Sequence, residues 1–154
     1  MELESLETAE GSEFPLCRQL SVFLENRLGQ LHRLTRLFES ADIRIRGLSV
    51  EGSIDCAIVR LVVDNPDLAR SMMADGGFAL TETDILVIEL PTGSRGIMRV
   101  CGALIAGEVN INYLYPLLPN DAGVGFLAVQ VDNLSQAAAV LGSAKFNLVD
   151  QSEL

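Results

Sequence analysis

The feature that most constrains this chain is that it repeats itself. Shifting the sequence by 66 residues aligns two blocks without a gap: Leu20, Val22 and Leu24 fall on Leu86, Ile88 and Leu90, then Leu31, Leu34 and Phe38 on Ile97, Val100 and Leu104, and Ile43 and Ile45 on Val109 and Ile111. Further along the shift becomes 68, placing Val63-Asp64-Asn65 on Val131-Asp132-Asn133 and Phe78-Ala79-Leu80 on Phe146-Asn147-Leu148. The second copy therefore carries two extra residues near Pro116, Pro119, Asn120, Asp121 and Gly123, a turn-rich stretch where a duplicated fold drifts most easily. Any fold for this chain must be one that a stretch of about half its length can adopt twice.

Each copy has the same pattern. The alternation of Leu20, Val22 and Leu24 predicts a half-buried strand. Asn26 to Gly29 breaks it, and Leu31, Leu34, Leu37, Phe38 and Ala41 then share one helical face. Ile43–Val50 and Ile54–Val63 predict strands joined by a turn at Glu51-Gly52-Ser53. Asp64 or Asn65 can cap a second helix with Pro66 in its first turn; Gly76-Gly77 ends it, and Phe78–Thr81 predicts a short last strand. In copy two the corresponding elements are Ile85–Leu90, Arg95–Ala106, Val109–Leu117, Val124–Val131, Leu134–Leu141 and Lys145–Asp150. The order βαββαβ is the split βαβ, or ferredoxin-like, arrangement. The expected fold is α+β: two such domains in tandem, at 16–83 and 84–154, each an antiparallel sheet with helices on one face. Only Glu82–Asp84 separate the last strand of one from the first of the next, so no flexible linker joins them. Residues 1–15 form an acidic tail expected to be disordered. In Ile54–Val63 both alternating faces are apolar, which predicts that the helix-free side is covered too, by the other domain or by a second chain.

Charge and motif content narrow the function. The net charge is −10, with five Glu and no base in residues 1–15. There is no basic stripe for a phosphate backbone or an anionic membrane surface to meet. The longest apolar runs, such as Ile85–Ile88, are strand-sized, and the acidic start lacks an apolar signal core, so a cytoplasmic location is expected. Cys17, Cys56 and Cys101 read as three buried, reduced thiols. His32 is the one histidine and reads as a solvated helix residue. There is no P-loop, no G-x-G-x-x-G and no nucleophile–histidine pairing, which weighs against an enzyme and against any metal or cofactor. Tyr113 and Tyr115 share a strand face and either line a pocket or pack on a neighbouring domain.

The stretch Ser21-Val22-Phe23-Leu24-Glu25-Asn26-Arg27-Leu28-Gly29-Gln30-Leu31 resembles the opening of an ACT domain, a strand leading through a polar, glycine-containing loop into a helix. Ala41-Asp42-Ile43-Arg44-Ile45 resembles that family's approach to its second strand, and Gly107-Glu108-Val109-Asn110-Ile111 matches it more closely. The resemblance spans about residues 18–150. It implies a protein that binds a free amino acid at an interface between domains, the loop presenting backbone N–H groups to the carboxylate. Carried over to this sequence, the implied ligand residues in copy one are Asn26, Arg27, Leu28, Gly29 and Gln30, facing Ile43, Arg44 and Ile45. In copy two they are Thr92, Gly93, Ser94, Arg95 and Gly96, facing Val109, Asn110 and Ile111.

The copies depart from the pattern in different places. The loop glycine is Gly29 in copy one and Arg95 in copy two, while the strand asparagine is Arg44 in copy one and Asn110 in copy two. Either one composite site uses both halves of the pattern, or one copy is purely structural. Asn26 reads as a ligand residue or a helix cap, Arg95 as a carboxylate fork or a solvated loop residue, and Asn110 as an ammonium acceptor or a strand-edge residue. The function expected is a non-catalytic amino-acid sensor, forming a homodimer and acting on a separate metabolic enzyme. The alternative is a ligand-free assembly or regulatory subunit.

Overall fold

The computed structural model describes residues 14–25 and 28–154; most of the acidic segment, and Asn26 and Arg27, fall outside them. The first alternation folds as β1 (Cys17–Glu25). Gly29, at φ +85°, turns the chain into α1 (Gln30–Arg36), a left-handed conformation in which a side chain would be strained. β2 (Ile45–Gly52) and β3 (Cys56–Val63) follow as an antiparallel pair. Of the two possible caps, Asn65 is the one used: its side chain accepts from Leu68 N–H at 3.3 Å and starts α2 (Pro66–Asp75) with the proline in the first turn.

The two strands expected at the middle of the chain are one strand, β4 (Ala79–Glu89). Glu82–Asp84, expected between them, stay paired: Leu20 faces Glu82, Gln19 faces Thr83 and Arg18 faces Asp84. The reason is that β1 begins at Cys17, before the alternation at Leu20, so its first residues supply partners that bridge the gap. After β4 come α3 (Gly96–Ala106), β5 (Ile111–Leu117), β6 (Phe126–Val131) and α4 (Leu134–Ser143), capped by Asn133 as α2 is by Asn65. β7 (Leu148–Val149) is shorter than the expected 145–150, because Lys145 adopts φ +63° in a turn and Asp150 already caps a 3₁₀ turn over Gln151–Glu153.

Among the described residues the strands run β2-β3-β1-β4-β6-β5, with β7 also on β4. The first part of β4 completes β2-β3-β1-β4, and its end opens β5-β6-β4-β7. These are the same ferredoxin-like order written twice, so the α+β class and the tandem arrangement hold. Leu20, Val22, Leu61 and Val63 pack with Leu34, Phe38 and Met73 in one core; Leu86, Ile88, Leu127 and Val129 pack with Val100, Leu104 and Leu141 in a second.

A third core lies between the helix-free sides: Cys17, Val62, Ile85, Val87, Tyr115, Leu117 and Phe126. On the helix-free side of the two-faced strand, Val62 and Arg60 are thus covered by the other half of the same chain, Arg60 stacking on the Tyr113 ring with 3.9 Å to its centroid, while Cys56 and the preceding Ile54 stay exposed. Gln19, fully buried, accepts from the Tyr115 hydroxyl at 2.7 Å and donates to Tyr113 at 2.8 Å, so both tyrosines pack on the first half. Burial raises the Tyr115 hydroxyl well above its ordinary pKa, which keeps it a donor. The sheet curls until its outer strands meet: Leu118 N–H donates to the Arg46 carbonyl at 2.8 Å, and Leu117 lies over Gly47.

The three cysteines are free, but only Cys17 is buried; Cys101 is half-buried on α3 and Cys56 is exposed. Cys17 is in the third core, where burial pushes its thiol up to about 12. Cys56 is exposed, because it opens β3 at the rim of the sheet, opposite Glu25 at the end of β1. No helix among the described residues is long and apolar enough to cross a membrane.

Candidate functional site

The second strand of each half carries a β-bulge. In β2 the register shifts between Ile45 and Gly47, so Arg46 is the extra residue; in β5 it shifts between Ile111 and Tyr113, so Asn112 is. A bulge re-aims one side chain without ending the strand. In a regular strand Arg44 and Arg46 would alternate with Ile43 and Ile45 in simple fashion. The bulge instead leaves Arg44 exposed and buries Arg46 to 8% of its free surface.

Both arginines line a cleft of about 390 Å³ between the halves of the molecule. Its first-half side is Arg44, Arg46 and Asp64. Its second-half side is the β5–β6 loop, Asn120 to Ala122, with Glu153 and Leu154. Each wall is built by local bonding. The Arg44 N–H donates to Asp64 Oδ1 at 2.9 Å and Asp64 N–H returns to the Arg44 carbonyl at 3.2 Å. Asn120 Oδ1 accepts from the N–H groups of Ala122 and Val124 at 3.0 and 2.9 Å, and Gly123 at φ +82° closes the turn. The two residues by which copy two exceeds copy one lie in this loop. What reads in the sequence as loop drift is one wall of a cavity.

The cleft offers two guanidinium groups, Arg44 and Arg46, and three carboxylates, Asp64, Asp121 and Glu153. Opposite charges in one small, partly enclosed space suit a small zwitterion, its carboxylate on an arginine and its ammonium on an acid. The Nε of Arg46 is buried and makes no hydrogen bond to any described residue.

The residues implied by the resemblance are dispersed. Asn26 and Arg27 lie outside the described residues. Leu28 is fully exposed and Gln30 begins α1. Gly29 lines a different cleft, of about 340 Å³, with His32, Arg33, Arg36, Leu37 and Ser40. Ile43 and Ile45 pack against the first core, and Arg44 alone of that set reaches the cleft between the halves. In copy two Thr92, Gly93, Ser94 and Arg95 are exposed, and Gly96 is buried where a Cβ would come within 2.9 Å of the Pro91 carbonyl. Val109 and Ile111 belong to the second core. Asn110 donates to Asp132 at 2.6 Å, which holds that carboxyl below the ordinary carboxylate range, with a further contribution from Asn112. Arg46, Asp64, Asn120, Asp121, Ala122, Glu153 and Leu154 are missed by sequence reasoning. The one signal in the sequence is two arginines two apart in a strand, Arg44 and Arg46; the loop wall has none, because its partner is distant along the chain. Among the described residues no group of His, Cys, Asp or Glu is placed to hold a metal ion.

A family model described as an ACT domain pair matches residues 16–154. Among solved structures the chain is similar to protein BT0572 from Bacteroides thetaiotaomicron, at 30% identity and a TM-score of 0.81, covering 90% of this chain and 94% of that one. It also shares its fold with the ligand-free regulatory subunit of aspartate kinase from Thermus thermophilus, at 9% identity and a TM-score of 0.57 over 83% of this chain and 92% of that one. The regulatory subunit of aspartate kinase from Thermus flavus is similar at 11% identity and a TM-score of 0.51 over 86% and 97%. No curated protein matches the sequence.

Proposed function

The chain belongs to the ACT family, as a pair of ACT domains, and from that premise we propose that it is a sensor or regulatory protein that binds a free amino acid between its two domains and catalyses nothing itself. We place the domains at 16–83 and 84–154, with the division inside β4. The observation that carries the reading is the cleft between the halves, where Arg44 and Arg46 stand opposite Asp121 and Glu153. A ligand held by both walls favours one arrangement of the halves over others, and that preference is the signal. Because β4 is one rigid strand, the seam where β2 meets β5 is where an adjustment has to occur.

The partner in this reading is a separate metabolic enzyme. The two Thermus proteins similar in fold are regulatory subunits of aspartate kinase. A homodimer belongs to the same reading: the two-faced strand is covered internally only at Arg60 and Val62, and Phe23, Leu48 and Val50 of the first half's sheet stay exposed. Sedimentation equilibrium tests it, a monomer at every concentration being the contrary result.

Calorimetry across the twenty amino acids tests the main reading. It expects at least one of them to bind tighter than about millimolar, with one ligand per chain. Twenty flat titrations would overturn it.

A further inference from the structure

One residue of the cleft is set apart by comparison of the two copies. The bulge position is polar in both halves, and in the second it is satisfied: Asn112 Nδ2 donates to Gln130 Oε1 at 2.6 Å. The residue corresponding to Gln130 in the first half, by the 68-residue shift, is Val62, which is fully buried in the third core and offers no acceptor. The first half thus places a guanidinium where the second places an amide, and it removes the neighbour that could bond it. Among the described residues Arg46 Nε is the only buried side-chain nitrogen or oxygen without a hydrogen-bond partner. A buried donor with no partner is destabilising in the free protein unless something else completes it.

Three further facts bear on what that something is. Arg46 is pinned rather than loose: its carbonyl accepts from Leu118 N–H at 2.8 Å, and the adjoining Gly47 is packed under Leu117. The side chain lines a cavity large enough for a small organic ion. The acids of the cleft are engaged or exposed: Asp64 is held by the Arg44 backbone, Asp121 is out in solvent, and Glu153 is exposed and accepts from the Asp150 N–H at 3.1 Å. An anion reaching the floor is therefore not displacing an internal ion pair of Arg46. A guanidinium presents its N–H groups in a planar fork that matches a carboxylate.

We infer that Arg46 is the carboxylate anchor of a binding site between the two ACT domains, and that its ligand is a small carboxylate whose second, cationic group faces the acids of the β5–β6 loop. The inference rests on the proposed function for the ammonium group but not for the carboxylate. The site lies apart from the loop residues that the family resemblance implies. It also names the element that senses occupancy, since the backbone of Arg46 is hydrogen-bonded to the chain just beyond β5.

Thermal melting of the full chain tests this. The probes are sodium propionate and sodium succinate, compared with sodium chloride at equal ionic strength, and then the twenty amino acids. At about ten times Kd a ligand raises Tm by a few degrees through mass action. The wild type is expected to respond to the carboxylates beyond the chloride control, and Arg46→Met is expected to lose that response while melting no lower than wild type in chloride, because the unpartnered group is gone. Arg46→Lys keeps the charge without the fork and is expected to respond weakly, which preserves the test if the methionine variant misfolds. A wild type that ignores both carboxylates and every amino acid overturns the inference, as does an equal response in wild type and variants. If the carboxylates act through Arg46 while no amino acid binds better than they do, the anchor stands and the amino-acid reading falls. If an amino acid binds wild type and Arg46→Met alike, the reading stands and the anchor falls.

Discussion

The two halves share their strand order and the caps of their second helices and differ at the seam where they meet. Asn65 and Asn133 cap α2 and α4 in the same way, and Asp64 and Asp132 sit at the same place after the third strand of each half. At the bulge the agreement stops. Asn112 closes on Gln130, whereas the counterpart of Gln130 in the first half is Val62, and Arg46 Nε has no hydrogen-bond partner among the described residues. One residue later Tyr113 supports the stacked Arg60, whereas Gly47 makes room for Leu117. A duplicated fold keeps the pairs that build each copy, and its copies become chemically distinct at the seam between them, where each copy's environment is the other.

The largest expected effect is at the polar centre of that seam. Gln19→Ala removes the acceptor of the Tyr115 hydroxyl and leaves a void in a full core, which costs about 2–4 kcal/mol in urea unfolding. The counterpart substitution Ile85→Val, also fully buried, costs about 0.5–1.5 kcal/mol. Equal losses would mean the seam does not depend on the Gln19 network. Next comes Gly47→Ala. A Cβ there would clash with Leu117 Cδ2, so Leu117 must move, at about 1–3 kcal/mol. The double variant with Leu117→Ala should recover part of that loss, and strict additivity would show the two residues are not in contact.

The caps sharpen the comparison from the other side. Asn65→Ala and Asn133→Ala should each cost about 1 kcal/mol, and by the same amount, because the cap is a feature of the shared fold. The smallest effect is a titration. Asp132 has its folded pKa lowered by Asn110 first and Asn112 second, so its contribution to stability is complete above the unfolded value of about 3.9 and is lost as pH falls through the lower folded value. Asn110→Ala should move the Asp132 titration upward toward the ordinary range in an NMR pH titration, with Asn112 retaining part of the shift; an unchanged curve would remove Asn110 as the main cause.

Much of the fold is legible in the sequence because its signals are periodic and occur twice. Leu20-Val22-Leu24 and Leu86-Ile88 mark the central strands, and Asn-Pro and Gly-Gly mark the ends of a helix. β4 is not legible as one strand, since Glu82, Thr83 and Asp84 are polar and nothing local says that β1 extends to meet them. The exposed Cys56 is missed for a related reason: composition places cysteines inside, while exposure depends on where the strand meets the rim. At the candidate site, Arg44 is legible through the family pattern and Arg46 is not, because a bulge is a property of pairing between two strands rather than of either one. The loop wall at Asn120–Ala122 depends on how the sheet curls, which no short stretch of sequence encodes.

The central claim is that the halves share a fold but only their junction carries a binding site. A ¹⁵N-labelled chain titrated with the amino acid giving the largest calorimetric signal tests it in one spectrum. The account predicts that amides at Arg44, Arg46, Asp64 and Asn120–Ala122 shift together while those at Asn110 and Thr92–Gly96 stay still. Shifts centred on the Thr92–Gly96 loop and Asn110, or on Gly29 with the junction silent, would contradict it.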